Sequence, residues 1–171
     1  QQTANGISYS GKLGDKWNLA QPAGDNQYET GLIESLSDCV EEGDHVCIVG
    51  GGHGITAIHA EGLGAKLTVY EPSSKHANII SKRVDGEVIV DGFYGEANIY
   101  GEGSCTLTAS DLPDCDVLEL DCEGQELNLL NDLQSRPQSI IVESHGFLGC
   151  SKDDVLSSLK DLGYDVDIFA C

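Results

Sequence analysis

HVCIVGGGHGITAIHAEGLGAKLTVYE, residues His45–Glu71, decides the fold. An apolar run, Val46-Cys47-Ile48-Val49, stops at a glycine cluster, Gly50-Gly51-Gly52-His53-Gly54. Ile55, Ile58 and Leu63 then recur at the spacing of one helix face, and a β-rich run, Leu67-Thr68-Val69-Tyr70, ends on Glu71. Such a strand–turn–helix–strand unit has a turn too tight for side chains, so backbone N–H groups and a helix N-terminus can approach a ligand closely. A carboxylate at the end of the second strand is placed to hold a ribose diol. The unit predicts a nucleoside-containing cofactor without saying which.

Outward from this unit, strands and helices alternate. Residues 1–27 are rich in Gly, Gln, Asn and Ser and read as an extended N-terminal arm, with Trp17 and Leu19 packing it on the body. Residues 28–171 read as one domain. Tyr28-Glu29 opens a helix with Leu32, Ile33, Leu36 and Val40 on one side. After Pro72-Ser73-Ser74 a short helix runs to about Val84, and Val88-Ile89-Val90 forms a third strand ending at Asp91-Gly92. Residues 93–110 lack a helical period and read as a loop or short hairpin. Asp116–Asp121 is a fourth strand, and Leu127, Leu130 and Leu133 mark a helix that Arg136-Pro137 stops. Ser139–Glu143 is a fifth strand. Ser151 with Asp154 resembles a capping box for a helix carrying Val155, Leu156, Leu159 and Leu162, which Gly163 ends. Asp165–Ala170 reads as a sixth strand. The pattern predicts an α/β, Rossmann-like, doubly wound and mostly parallel sheet covered on both faces.

The charge narrows the partners. Against 29 acidic residues stand 9 basic ones, a formal net charge of −20. Nucleic acid and anionic membrane would both be repelled, so neither is expected as a partner. The acid is spread along the chain and lysine is scarce, as in proteins of salt-loving archaea; this halophilic reading expects structure to be lost in low salt, and a mesophilic acidic protein is the alternative. The seven cysteines form no C-x-x-C pair and read as small buried hydrophobes in a reducing, cytoplasmic setting. No apolar run is long enough to span a membrane, and a homo-oligomer is allowed for.

The glycines fit two cofactors. Gly52, Gly54 and Ala57 match the G-x-G-x-x-G/A pattern of NAD sites, whereas Gly50, Gly52 and Gly54 match the G-x-G-x-G pattern of S-adenosylmethionine sites. The second half of the chain discriminates. Residues 106–146 read TLTASDLPDCDVLELDCEGQELNLLNDLQSRPQSIIVESHG. The element Asp121, Glu123, Gly124, Glu126, the leucine-rich helix, Arg136-Pro137, and the strand ending in Glu143 and His145 resemble the FkbM family of S-adenosylmethionine-dependent methyltransferases over about residues 28–169.

This resemblance implies a class I methyltransferase sheet of order 3-2-1-4-5-7-6, with the last strand either absent or not included in this sequence. It implies that Gly50, Gly52 and Gly54 admit the methionine part, Glu71 holds the ribose, Asp91 with Gly92 meets the adenine, and Asp121 lies by the amino group or methyl. Glu29 would close the pocket. The resemblance also implies O-methylation of a hydroxyl on a small-molecule or glycan acceptor, with His145, Asp121 and Glu123 as the catalytic candidates and His145 as the base. No metal is assigned: one would need Asp121, Glu123 and Glu143 to converge, and the spacing does not demand it. Two departures stand out. Ile48 occupies a position that is acidic in most such enzymes, and Ser110-Asp111 replaces a usual Leu-Asp. An NAD-binding oxidoreductase domain and a degenerate, non-catalytic fold remain as alternatives. Glu71 and Asp121 also have purely structural readings, as a solvated strand end and a helix cap.

Overall fold

The computed structural model describes residues 2–4, 7–9, 29–94 and 105–169. Two short strands, β1 (Gln2–Ala4) and β2 (Ile7–Tyr9), pair antiparallel within the stretch expected to be an irregular arm. Trp17, Leu19 and Tyr28 lie outside the described residues. The body then alternates: α1 (Thr30–Cys39), β3 (His45–Val49), α2 (Ile55–Gly62), β4 (Lys66–Tyr70), α3 (Ser74–Ile80), β5 (Glu87–Ile89), β6 (Val117–Leu120), α4 (Glu126–Asp132), β7 (Ser139–Val142) and α5 (Lys152–Asp161).

The five body strands form one parallel sheet in the order β5-β4-β3-β6-β7. Numbered within the sheet this is 3-2-1-4-5, the expected order for those strands. Val46–Val49 and Val117–Leu120 are buried throughout because helices cover both faces. On one face Leu32 and Leu36 of α1, Ala57 and Ala60 of α2, and Ile80 of α3 pack on Val46, Ile48, Val117 and Ile141. On the other, Leu129 and Leu130 of α4 with Val155 and Leu159 of α5 pack on Cys47, Val49, Leu118 and Leu120. The Ser73 and Ser151 hydroxyls accept from the backbone N–H of His76 and Asp154, capping α3 and α5.

The sixth strand does not form across the described residues 165–169. Asp165-Val166-Asp167-Ile168 alternates like a strand, but a strand exists only with a ladder partner. The Arg136 guanidinium donates to the Leu162 carbonyl and the Tyr164 hydroxyl to the Pro137 carbonyl, tying the chain to the corner before β7. Ile168 is left 59% exposed. Val90, expected inside the third strand, lies just past β5 and is also exposed. Among the described residues no helix is long and apolar enough to cross a membrane.

Candidate functional site

The strand order turns back between β3 and β6, and in open α/β sheets ligands bind at the carboxyl ends of strands flanking such a point. There a cleft is lined by Glu29, Gly50, Gly52, Glu71, Gly92, Asp121 and Glu123 from the expected set. It encloses about 740 Å³, including the solvent at its mouth. Val49, Tyr70, Pro72, Phe93 and Cys105 add apolar wall, and His53 and His76 stand at one end. Phe93 meets Tyr70 edge-on, with ring centroids 5.0 Å apart. Phe93 and Cys105 were not singled out in the sequence, because they fall in a stretch without period. Only their nearness to Asp91-Gly92 could have drawn attention to them.

The glycine turn is built by contact. Gly50 has φ 93°, and a Cβ there would lie 1.7 Å from the Asp121 carbonyl oxygen. Gly54, φ 79°, is the left-handed residue from which α2 starts; it is buried behind the cleft and does not line it. Glu71 is buried and accepts from two backbone amides, Gly52 N–H to Oε2 and Ser73 N–H to Oε1, both at 2.8 Å. Burial raises its pKa and these two amides pull it back. The carboxylate thus braces the glycine turn while lining the cleft, and its burial overturns the reading of Glu71 as a solvated strand end. Asp91 does not line the cleft. Its carboxylate accepts from the Gly92 and Thr106 amides and from the Thr106 hydroxyl, closing the 91–92 corner on residue 106.

A second cluster stands at the ends of β6 and β7. Pairing of Leu120 with Val142 brings Asp121 alongside Glu143, and the Glu143 amide donates to the Leu120 carbonyl at 2.9 Å. His145, 9% exposed, sits behind Asp121 and Glu123 and does not itself line the cleft. Its Nε2 is 3.5 Å from Asp121 Oδ1 and 3.5 Å from Glu123 Oε2. Its Nδ1 is 2.8 Å from Glu126 Oε1. Glu126, fully buried at the start of α4, also accepts from the Cys122 and Gly124 amides. Burial works against its charge, but the His145 hydrogen bond and the amides outweigh it and hold its pKa down. The Glu126 hydrogen bond first, then Asp121 and Glu123, push His145 up to about 9 against its burial, so at neutral pH it is an imidazolium. Burial, then Glu143 and Glu29, push Asp121 well up, with His145 opposing them. Glu29 and Glu123, both on the cleft wall, hold left-handed backbone at φ 55°, a strain that tends to collect at functional sites. Asp121, Glu143 and His145 each bring one ligand atom within 4.8 Å of the others. The convergence expected for a metal thus occurs with His145 in place of Glu123. Glu126, the residue on which His145 hangs, belongs to the acidic element that carries the family resemblance but is not among the catalytic candidates.

No protein-family model matches the chain, and no curated protein does. Solved structures do. A precorrin-6Y C5,15-methyltransferase from Geobacter metallireducens superposes with TM-score 0.59 at 14% identity, covering 86% of this chain and 77% of that one. A ribosomal protein L11 methylase from Lactobacillus delbrueckii subsp. bulgaricus gives 0.57 at 18%, covering 90% and 84%. A TehB-like SAM-dependent methyltransferase from Corynebacterium glutamicum gives 0.55 at 16%, covering 86% and 79%. The fold is that of the class I methyltransferases.

Proposed function

We propose that this chain is an S-adenosylmethionine-dependent methyltransferase that methylates a hydroxyl of a small molecule or glycan. One observation carries the reading: within a methyltransferase fold, the glycine turn, Glu71 and Asp121 line one cleft at the strand ends. The FkbM resemblance adds the second cluster to it, since the Asp121-to-Glu126 element and His145 come together in space. The net charge of −20 favours an uncharged acceptor over nucleic acid and is in keeping with a salt-loving, cytoplasmic origin.

In this reading Gly50 and Gly52 admit the methionine part, Glu71 takes the ribose hydroxyls, and Gly92 gives way to the adenine while Asp91 fixes that corner. Methyl transfer from a sulfonium is an in-line displacement, so the protein works chiefly by orientation, which supplies roughly 7–11 kcal/mol at best. Asp121 and Glu123 present carboxylates to the cleft, where they attract the sulfonium and accept from the acceptor hydroxyl. His145, expected as the base, carries its proton at neutral pH, so its first role here is to hold Asp121 and Glu123 in place as a positioning residue.

Two measurements test this. In molar potassium chloride, S-adenosylmethionine and S-adenosylhomocysteine are expected to raise the melting temperature and NAD is not. A hundredfold excess over the dissociation constant corresponds to about 2.7 kcal/mol. Silence from the first two in a folded sample, or a response to NAD alone, would overturn the reading. His145→Gln is expected to lower turnover about 10- to 100-fold with cofactor affinity kept, since misplacing groups at the reacting centre by about 1 Å can cost about 10²-fold. In the positioning role the wild-type rate falls as the pH rises through about 9, where the ring loses the proton that holds the two carboxylates. A rate that instead rises through pH 9, and no longer does so in His145→Gln, would restore it as the base.

A further inference from the structure

We infer that Asp121, Glu143 and His145 form a binding site for a divalent cation of intermediate hardness, such as Mn²⁺, at the ends of β6 and β7. The three donor atoms lie within 4.8 Å of one another. With metal–ligand bonds of about 2.1 Å, neighbouring donors stand roughly 3 to 3.5 Å apart. His145 Nε2 and Asp121 Oδ1, at 3.5 Å, are already there. The donor set is one imidazole nitrogen and two carboxylates, which suits a borderline cation better than a purely oxygen-seeking one. The ligands come from the ends of two paired strands, a rigid support fixed by the Leu120–Val142 register.

Two further observations point to a cation rather than to mere crowding of acid. The first is the outer shell. A metal-bound histidine is typically oriented by donating its other ring N–H to a carboxylate. Here His145 Nδ1 meets Glu126, a carboxylate with no exposure of its own, itself held by two backbone amides, and Nε2 is thereby turned toward Asp121. The second is Glu119. It projects from the same face of β6 as Asp121, two residues back, and is only 1% exposed. Neither of its oxygens has a partner at hydrogen-bond geometry. A buried carboxyl with no partner at hydrogen-bond geometry, two positions before Asp121 on the same strand face, is an unsatisfied polar group adjoining the proposed ligands.

Binding does not depend on the methyl-transfer reading. Only the consequence does: a cation there would lower the pKa of an acceptor hydroxyl as a Lewis acid and would engage Nε2 as a ligand. The test therefore reads binding. Chelator-stripped protein is titrated with MnCl₂ by calorimetry and by the electron paramagnetic resonance signal of free Mn²⁺. One ion per chain is expected. Glu126→Gln, outside the ligand set, should weaken it about 10- to 100-fold, and Glu143→Gln and His145→Gln, which each remove a ligand, should weaken it more. Exposed Glu87→Gln, on the far edge of the sheet, should leave it unchanged. No saturable uptake by folded wild-type protein would overturn the site. So would equal uptake in a folded Glu143→Gln, His145→Gln double variant, which would mean diffuse attraction to an acidic surface. S-adenosylmethionine binding without Mn²⁺ uptake would sink the cation site and leave the methyltransferase reading standing.

Discussion

Gly50→Ala is expected to remove a large part of the stability of the fold and to disrupt the cofactor site. The new Cβ would lie 1.7 Å from the Asp121 carbonyl oxygen and 2.6 Å from its carbonyl carbon. Both are backbone atoms of the neighbouring strand end, so no side chain can turn aside. Gly50 is also anchored on its other side, its amide donating to the Tyr70 carbonyl at 2.9 Å. Relief requires β3 and β6 to part where they are stitched together by the Asp121 amide donating to the Val49 carbonyl. Overpacking a core typically costs about 1–3 kcal/mol, and left-handed backbone in a residue with a Cβ costs about 1–2 more. The sum, about 2–5 kcal/mol, is a large part of the roughly 5–15 kcal/mol that holds a domain together. Gly52→Ala is the informative comparison. Gly52 has φ 49° but nothing within 4 Å of its would-be Cβ, so only the backbone term applies, about 1–2 kcal/mol. Urea unfolding midpoints of the two variants should differ widely. Similar midpoints would mean that the close approach of Gly50 to Asp121 is not what shapes this turn.

That contact also shows how far the sequence could be read. The run of glycines between Val49 and Ile55, with Glu71 after the next strand, announces the turn and the cleft side on which a ligand sits. Strand order, faces and most of the cleft wall follow from it together with the alternation of apolar runs and helical periods. Other features depend on contacts between distant residues and leave no local mark. Glu126 and His145 are 19 positions apart and meet only because α4 begins beside the end of β7. His145 is therefore an imidazolium for a reason no spacing reveals. Asp91 looks like a free acid at a strand end, yet Thr106, fifteen residues on, takes up its oxygens. The 165–169 segment has the alternation of a strand, and contacts of its neighbours to Arg136 and Pro137 decide otherwise. Glu119 interrupts the otherwise apolar Val117-Leu118-Glu119-Leu120, a central strand paired on both edges and covered by helices on both faces.

Replacing that carboxylate is expected to stabilise the protein, increasingly as the pH rises. Burial pushes the Glu119 carboxyl up to about 8, with Glu29 and Glu143 adding to the shift and Thr56 opposing it. In the unfolded chain it ionises near 4.5, its ordinary value. Between these two values the folded state keeps a proton that the unfolded state has released. Folding then binds protons, so stability falls as the pH rises. The stability is fully present below about pH 4.5, is lost as the pH climbs to about 8, and levels off above it, where both states are ionised. At about 1.4 kcal/mol per unit the loss amounts to several kcal/mol. Glu119→Leu, of similar volume and without a proton to lose, should therefore match or modestly exceed the wild type near pH 5 and exceed it by several kcal/mol at pH 8.5. Urea unfolding at both values, in EDTA, measures this. Asp121, Glu143 and Glu71 are also raised by burial, so the variant keeps a shallower downward slope of its own. Parallel profiles for the two proteins would mean that Glu119 is ionised and compensated in the folded state. A residual gap at pH 8.5 that closes when saturating Mn²⁺ is added to the wild type would identify the compensating charge.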